Sequence, residues 1–205
     1  GFDALYSNTT GYSNTANGFD ALRSNIMGSY NTANGSKALF SNTTGYSNIA
    51  IGASALYRNT TKSNLVAVGD SALFNNGWGT IGDEAATGNT AIGSKALYSN
   101  TTGFDNTANG KRALYSNTIG DYNTCVGSSA YPVSGSVINY TGIGYLVGTS
   151  ASASNMVEIG NTSVSVIRGQ VGFTTYSDAR IKENIQPDVP GLAFISQLKP
   201  VTYNL

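Results

Sequence analysis

The chain has 205 residues, 40% of them apolar and only 11% charged, and its eleven basic and eleven acidic side chains balance to zero. Such a composition excludes the basic stripe that a nucleic-acid partner requires, and no run of eighteen apolar residues is present to span a membrane as a helix. Histidine is absent, so a Ser-His-Asp site cannot be built; neither a cofactor nor a metal ion is expected.

Glycine recurs in step along most of the chain. Gly1, Gly18, Gly35, Gly52 and Gly69 are each seventeen residues apart, and Gly93, Gly110, Gly127 and Gly144 resume the spacing. The residues before each glycine are also nearly fixed: N-T-A-N-G ends at Gly18, Gly35 and Gly110, N-I-A-I-G at Gly52, N-T-A-I-G at Gly93 and N-T-C-V-G at Gly127. A self-similar period of this length predicts a repeat architecture. Regularly placed Leu, Tyr and Ala favour packed structure over disorder. Gly1 starts in mid-pattern, so the chain is expected to be a piece of something longer.

One unit, G-F-D-A-L-Y-S-N-T-T-G-Y-S-N-T-A-N, contains two short strand-like stretches separated by turn residues, the sequence form of a β-solenoid coil. The first is A-L-Y. Its leucines (Leu5, Leu22, Leu39, Leu56, Leu73, Leu97, Leu114) are expected to fill the coil interior, with the following residues on the opposite face. Those residues are Tyr6, Arg23, Phe40, Tyr57, Phe74, Tyr98 and Tyr115, which parallel stacking at about 4.8 Å per coil turns into a ladder. Tyr57, Phe74 and Tyr98 are thus candidates for binding a sugar or partner surface; packing against a neighbouring subunit is the other reading.

Between the strands, S-N-T-T-G at 7–11, 41–45 and 99–103 reads as a turn, with Asn and Thr bonding their own backbone. Asn8, Asn42, Asn59 and Asn100 also fit the N-x-Thr glycosylation pattern, which such a turn generates by itself. Regular threonines, Thr9, Thr43, Thr60 and Thr101 with Thr10, Thr44, Thr61 and Thr102, leave ice or carbohydrate binding as an alternative function.

The second strand, T-A-N or T-A-I, ends in a slot that holds Asn17, Asn34, Ile51, Val68, Ile92, Asn109, Val126 and Ile143 beside a nearly invariant alanine. A slot accepting both Asn and Ile does not suit a dry interior unless each Asn meets identical partners. A threefold axis would supply them. Cys125 stands in the alanine slot and reads as a small buried side chain without a disulfide partner.

The comb slips between Gly69 and Gly93, 24 residues apart, which predicts two shortened coils of thirteen and eleven residues. Trp78, Asp83 and Glu84 lie there, making the stretch a candidate for a role beyond scaffolding, with Trp78 either a binding residue or a plug for a missing loop.

The N-T-A-I-G signature resembles the head repeats of trimeric autotransporter adhesins, the YadA-like heads, over about residues 1–144. The resemblance implies a left-handed parallel β-roll with three chains around one axis; the repeats themselves predict an all-β solenoid of about ten coils, a rod about 50 Å long at the usual strand spacing. From 145 to 176 a β-rich transition is expected, with Val164, Val166 and Val171 alternating. After it, S-D-A-R-I-K-E-N-I at 177–185 and L-K-P-V-T-Y-N at 198–204 look like the start of the endosialidase-type intramolecular chaperone domain that ends phage tailspikes and related fibres.

That family's chaperone assembles three chains and then cuts itself off. By position, Ser177 would be the nucleophile, the Tyr176 carbonyl its target and Lys182 the assisting base, a single self-cleavage rather than turnover. Spacing alone reads the same residues as a helix start capped by Ser177 or Asp178. Only 29 residues follow Tyr176, so the domain is present in part. The expected protein is a homotrimeric extracellular fibre, an adhesin or tail-fibre segment on a cell surface or virion, with a surface glycan or receptor as partner.

Overall fold

A computed structural model describes residues 1–79, 85–148 and 153–169. Asp83, Glu84, Tyr176, Ser177, Lys182 and the expected helical start of the chaperone lie outside the described residues. Contacts divide the chain into Gly1–Ser165 and Val166–Leu205. The first unit carries the whole of the sheet.

Among the described residues nine short strands, β1 (Thr15–Asn17), β2 (Thr32–Asn34), β3 (Ile49–Ile51), β4 (Val66–Val68), β5 (Thr90–Ile92), β6 (Thr107–Asn109), β7 (Thr124–Val126), β8 (Tyr140–Ile143) and β9 (Met156–Ile159), form one parallel sheet in sequence order. This is an all-β parallel solenoid of about eight turns, with no helix among the described residues. Registers join equivalent slots, as in Ala33↔Ala50 and Ile51↔Val68. The sheet runs on through β9, inside the stretch read from sequence as a transition.

Each coil has one strand, not two. The A-L-Y stretch is a chain of turns in which alternate residues are left-handed: Asp20 has φ 56° and Leu22 φ 52°, and Lys37 and Leu39 repeat this at 58° and 50°. Alternating handedness lets both Ala and Leu point inward, so Ala38, Leu39, Ala55 and Leu56 are all fully buried. A left-handed leucine costs about 1–3 kcal/mol, which burial of its side chain, about 1.5–3 kcal/mol, offsets. The backbone remains satisfied because each turn bonds the next coil, as in Leu22 N–H to the Ala38 oxygen at 3.0 Å and Leu39 N–H to Ala55 at 2.9 Å. Leucine therefore fills the interior as expected, by a different backbone route.

The glycine comb has a steric cause. From Gly18 to Gly144 these residues hold φ between 130° and 143°. A Cβ on Gly52 would lie 2.5 Å from the Gly69 carbonyl oxygen, so adjacent coils meet here backbone to backbone.

Residues 70–93 correct the expectation of two short coils. β4 pairs directly with β5, Val66↔Thr90 through Val68↔Ile92, and Gly93 N–H bonds the Val68 oxygen at 2.7 Å. One coil of 24 residues therefore stands there, seven longer than its neighbours of seventeen (24 − 17 = 7). Merging the two is one reason the turns number about eight and not ten.

Candidate functional site

Three surfaces of the solenoid, built by different slots of the repeat, could carry function. The first is the outer face of the sheet. Asn17, Asn34, Ile51, Val68, Ile92, Asn109, Val126, Ile143 and Ile159 are joined in register from β1 to β9. All but the half-buried Val68 are exposed. The inward neighbours, Ala33, Ala50, Ala67, Ala91 and Ala108, are fully buried. Period two thus sends the Asn/Ile row outward along the whole rod.

The second surface is the ladder that follows the leucines. Phe40, Tyr57, Phe74, Tyr98 and Tyr115 stack with centroids 5.1–5.4 Å apart and planes within 15° of parallel. Arg23 takes the slot between Tyr6 and Phe40, its guanidinium 5.6 and 6.0 Å from their ring centres. Asp3 and Asp20 hold it at 3.6 and 3.4 Å. Each inner ring has both faces covered by neighbours, so Tyr57, Phe74 and Tyr98 present edges.

Trp78 is exposed. The Arg58 guanidinium lies 4.1 Å above its indole and 5.7 Å from Phe74, so the insertion adds a cation–aromatic stack beside the ladder.

The third surface was missed in the sequence. Tyr12, Met27, Ser29, Tyr30, Thr44 and Tyr46 line an open cleft of about 370 Å³ on the turn before the strand. The available signal was the alternation G-Y-S-N, G-S-Y-N, G-Y-S-N at 11–14, 28–31 and 45–48, which staggers the tyrosines.

Two buried asparagine ladders support these surfaces. In the first, the Asn42 amide donates to Asn25 Oδ1 at 2.8 Å and the Gly45 oxygen at 2.9 Å, and Asn25 repeats this toward Asn8 and Gly28. In the second, Asn31 donates its amide to the Gly45 oxygen and accepts the Asn48 N–H, each partner in the next coil. Asn42, Asn59 and Asn100 are fully buried with their amides engaged, which closes them to glycan attachment. The hydroxyls of Thr9, Thr43 and Thr101 donate to carbonyls of the following coil, so that threonine array serves the turns.

Two buried titratable groups stand near the C-terminal end of the solenoid. Cys125 is fully buried, and desolvation pushes its thiol up to about 12. Tyr140, also buried, donates to Glu158 Oε2 at 3.0 Å, and desolvation followed by that carboxylate raises its phenol well above the ordinary value. Among the described residues no group of His, Cys, Asp or Glu converges as a metal site, and no helix is long and apolar enough to cross a membrane.

A family model described as the chaperone of endosialidase matches residues 177–205. Comparisons with curated proteins and with solved structures yield no match. The chain thus holds a parallel β-solenoid and, at residues 177–205, a stretch similar to that chaperone.

Proposed function

We propose that this chain is a shaft segment of a homotrimeric extracellular fibre, of the tail-fibre or tailspike kind, assembled with the help of its C-terminal chaperone stretch. The observation that carries this reading is the match of residues 177–205 to the chaperone of endosialidase, downstream of a solenoid whose surface has little charge. Three chains would meet through the outer sheet face, in the manner of YadA-like heads. Such packing covers Ile51, Ile92, Val126 and Ile143, each 40–44% exposed in one chain. It also gives Asn17, Asn34 and Asn109 identical partners, so their amides are not buried unpaired. In this setting Trp78 and the aromatic ladder face outward, where a cell-surface glycan or receptor would meet them.

Maturation in this reading is one cut. Lys182, neutral in the assembled chaperone, takes the Ser177 hydroxyl proton as Oγ attacks the Tyr176 carbonyl; Lys182 returns that proton to the Ser177 nitrogen as the peptide bond breaks, and water then hydrolyses the ester that joins the Tyr176 carbonyl to Ser177 Oγ. Light scattering on the purified chain tests the fibre reading. A mass three times 21.2 kDa is expected, and a stable monomer overturns it. On the gene carrying the complete chaperone domain, Ser177→Ala leaves an uncut product; unchanged processing removes Ser177 from the mechanism.

A further inference from the structure

The staggered tyrosines form a different kind of aromatic surface from the ladder. Tyr12 and Tyr30 meet edge to face, centroids 5.1 Å apart and planes at 77°. In that geometry one ring keeps both faces clear of its partner, whereas stacking at 4° in Phe40–Tyr57 covers a face of each. Tyr12, Tyr30, Tyr46 and Met27 are 53–59% exposed in a single chain, an unusual outlay of apolar surface for one corner of a rod. The corner is rigid nonetheless: Tyr12 N–H donates to Ser29 Oγ at 3.1 Å, and Tyr30 N–H to the Tyr12 oxygen at 3.1 Å.

The same construction occurs a second time. Phe104 and Tyr122 stand edge to face at 5.0 Å and 80°, Ile119 takes the place of Met27, and Phe104 N–H donates to Asp121 Oδ1 at 3.1 Å as Tyr12 N–H does to Ser29. Five coil steps separate the two pairs, about 24 Å at the usual strand spacing.

The chemistry of the first cleft selects its occupant. Its lining is three phenols, two hydroxyls and a thioether, with no charged side chain. The Tyr12 phenol raises the pKa of Tyr30 above its ordinary value, as expected for hydroxyls brought close together. Aromatic faces with hydroxyls at their rim suit a ligand that is apolar on one face and hydroxylated at its edge. A pyranose ring is such a ligand. An acidic or basic peptide would find no counter-charge here.

We propose that the Tyr12–Tyr30–Tyr46 cleft binds a sugar unit of a neutral polysaccharide, its ring against a tyrosine face, and that the Phe104–Tyr122 pair engages the same polymer further along the rod. Two weak sites on one chain favour a polymer over a monosaccharide by effective concentration. This goes beyond the fibre reading and does not require it.

Affinity electrophoresis of the full chain through native gels containing dextran, galactomannan or the anionic polymer hyaluronan provides the test. Retardation in a neutral polymer is expected. Tyr30→Ala should weaken it at least tenfold, while Tyr145→Ala, at an exposed tyrosine outside the cleft, should leave it intact. Tyr30→Phe keeps the ring and should retain more binding than Tyr30→Ala. Circular dichroism of each variant checks the fold. The proposal is overturned by no retardation in either neutral gel, by retardation in hyaluronan alone, or by equal retardation of Tyr30→Ala. It is also overturned if Tyr30→Ala lowers the scattering mass, since the cleft is then a contact between copies. A monomer that is still retarded defeats the fibre reading and leaves the cleft standing.

Discussion

Among the described residues Asn59 Oδ1 is buried without a donor, because Asn76, one coil on, turns its amide to the Ala86 oxygen at 2.8 Å. Elsewhere in this ladder the amide serves both the preceding asparagine and a carbonyl three residues ahead. At Asn76 that carbonyl lies ten residues ahead, and the difference, 10 − 3 = 7, is the length of the insertion. The ladder restarts beyond it, with Asn100 donating to Asn76 Oδ1 at 2.9 Å.

A regular rung should therefore be worth more than the broken one. Asn42→Ala removes an amide with two acceptors and an oxygen that accepts from Asn59, leaving Asn25 Oδ1 without its donor. Asn59→Ala also strips a donor, from Asn42, but eliminates an oxygen that was already unpaired. Each orphaned buried group costs about 1–3 kcal/mol. Urea unfolding should find Asn42→Ala the more destabilising by roughly one such penalty, and equal midpoints would contradict the ladder's role.

The insertion also explains the lysine at position 62. Its slot holds Gly11, Gly28 and Gly45 in earlier coils, where a Cβ would come within 2.4 Å of a carbonyl oxygen in the next coil. Lys62 is buried, and its Cγ lies 2.8 Å from where a Cβ on Gly77 would be, so its stem occupies the space opened by the longer coil. Deleting residues 79–85 would restore a seventeen-residue coil and close that space. The deletion alone should destabilise the protein, and adding Lys62→Gly should recover much of the loss. A double-mutant cycle on thermal unfolding checks the coupling; additive effects would mean the two features are independent.

How much of this was legible in the sequence depends on what sets each position. The comb and the leucine interior were, because steric exclusion at Gly52 and burial of Leu56 leave a one-residue signature in every coil. The strand assigned to A-L-Y was not, since period two predicts one buried face and cannot foresee a left-handed leucine that buries both Ala55 and Leu56. The T-I-G at 80–82 imitated the end of a coil, and glycine spacing cannot tell an insertion from two short turns. Asn42 was read as a turn residue because an asparagine bonding its own loop and one bonding the coil beside it occupy the same sequence slot. The outward Asn/Ile row was foreseen because a slot that accepts both Asn and Ile does not suit a dry interior. Three chains around it remain the proposal.

Left-handed leucines make a specific demand on shape. At Leu56, φ is 53°, a region that β-branched side chains rarely tolerate. Leu56→Met keeps an unbranched Cβ and should cost less than about 1.5 kcal/mol. Leu56→Ile, usually equally mild, should cost about 1–3 kcal/mol more through backbone strain. Similar melting temperatures for the two variants would argue against the strained turn.

The outer sheet face offers a sharper test of assembly than mass alone. Ile51 and Ile92 are 41% exposed in one chain, so Ile51→Asp or Ile92→Asp leaves the coil interior untouched. Buried at a threefold axis, each substitution would bring three carboxylates together, a like-charge repulsion that the interface cannot solvate. Sedimentation should find folded monomers for the double variant and trimers for the parent. A double variant that sediments as the parent does would exclude this face as the interface.

Alkaline pH should loosen the C-terminal end of the solenoid through Cys125. Its thiol, ordinarily near 9.0, titrates at about 12 in the folded chain because burial disfavours the thiolate. The folded state therefore holds this proton more tightly than the unfolded one, and the stabilisation is complete below about pH 9 and lost as pH rises toward 12. Tyr140 adds a shift of the same sign, from its own burial and the Glu158 carboxylate. Alanine fills the equivalent slot in β2 to β6, so Cys125→Ala should be well tolerated at neutral pH while flattening the decline above pH 9. Denaturant midpoints of both proteins between pH 7 and 11 measure this directly, and parallel curves would show that the thiol does not titrate on unfolding.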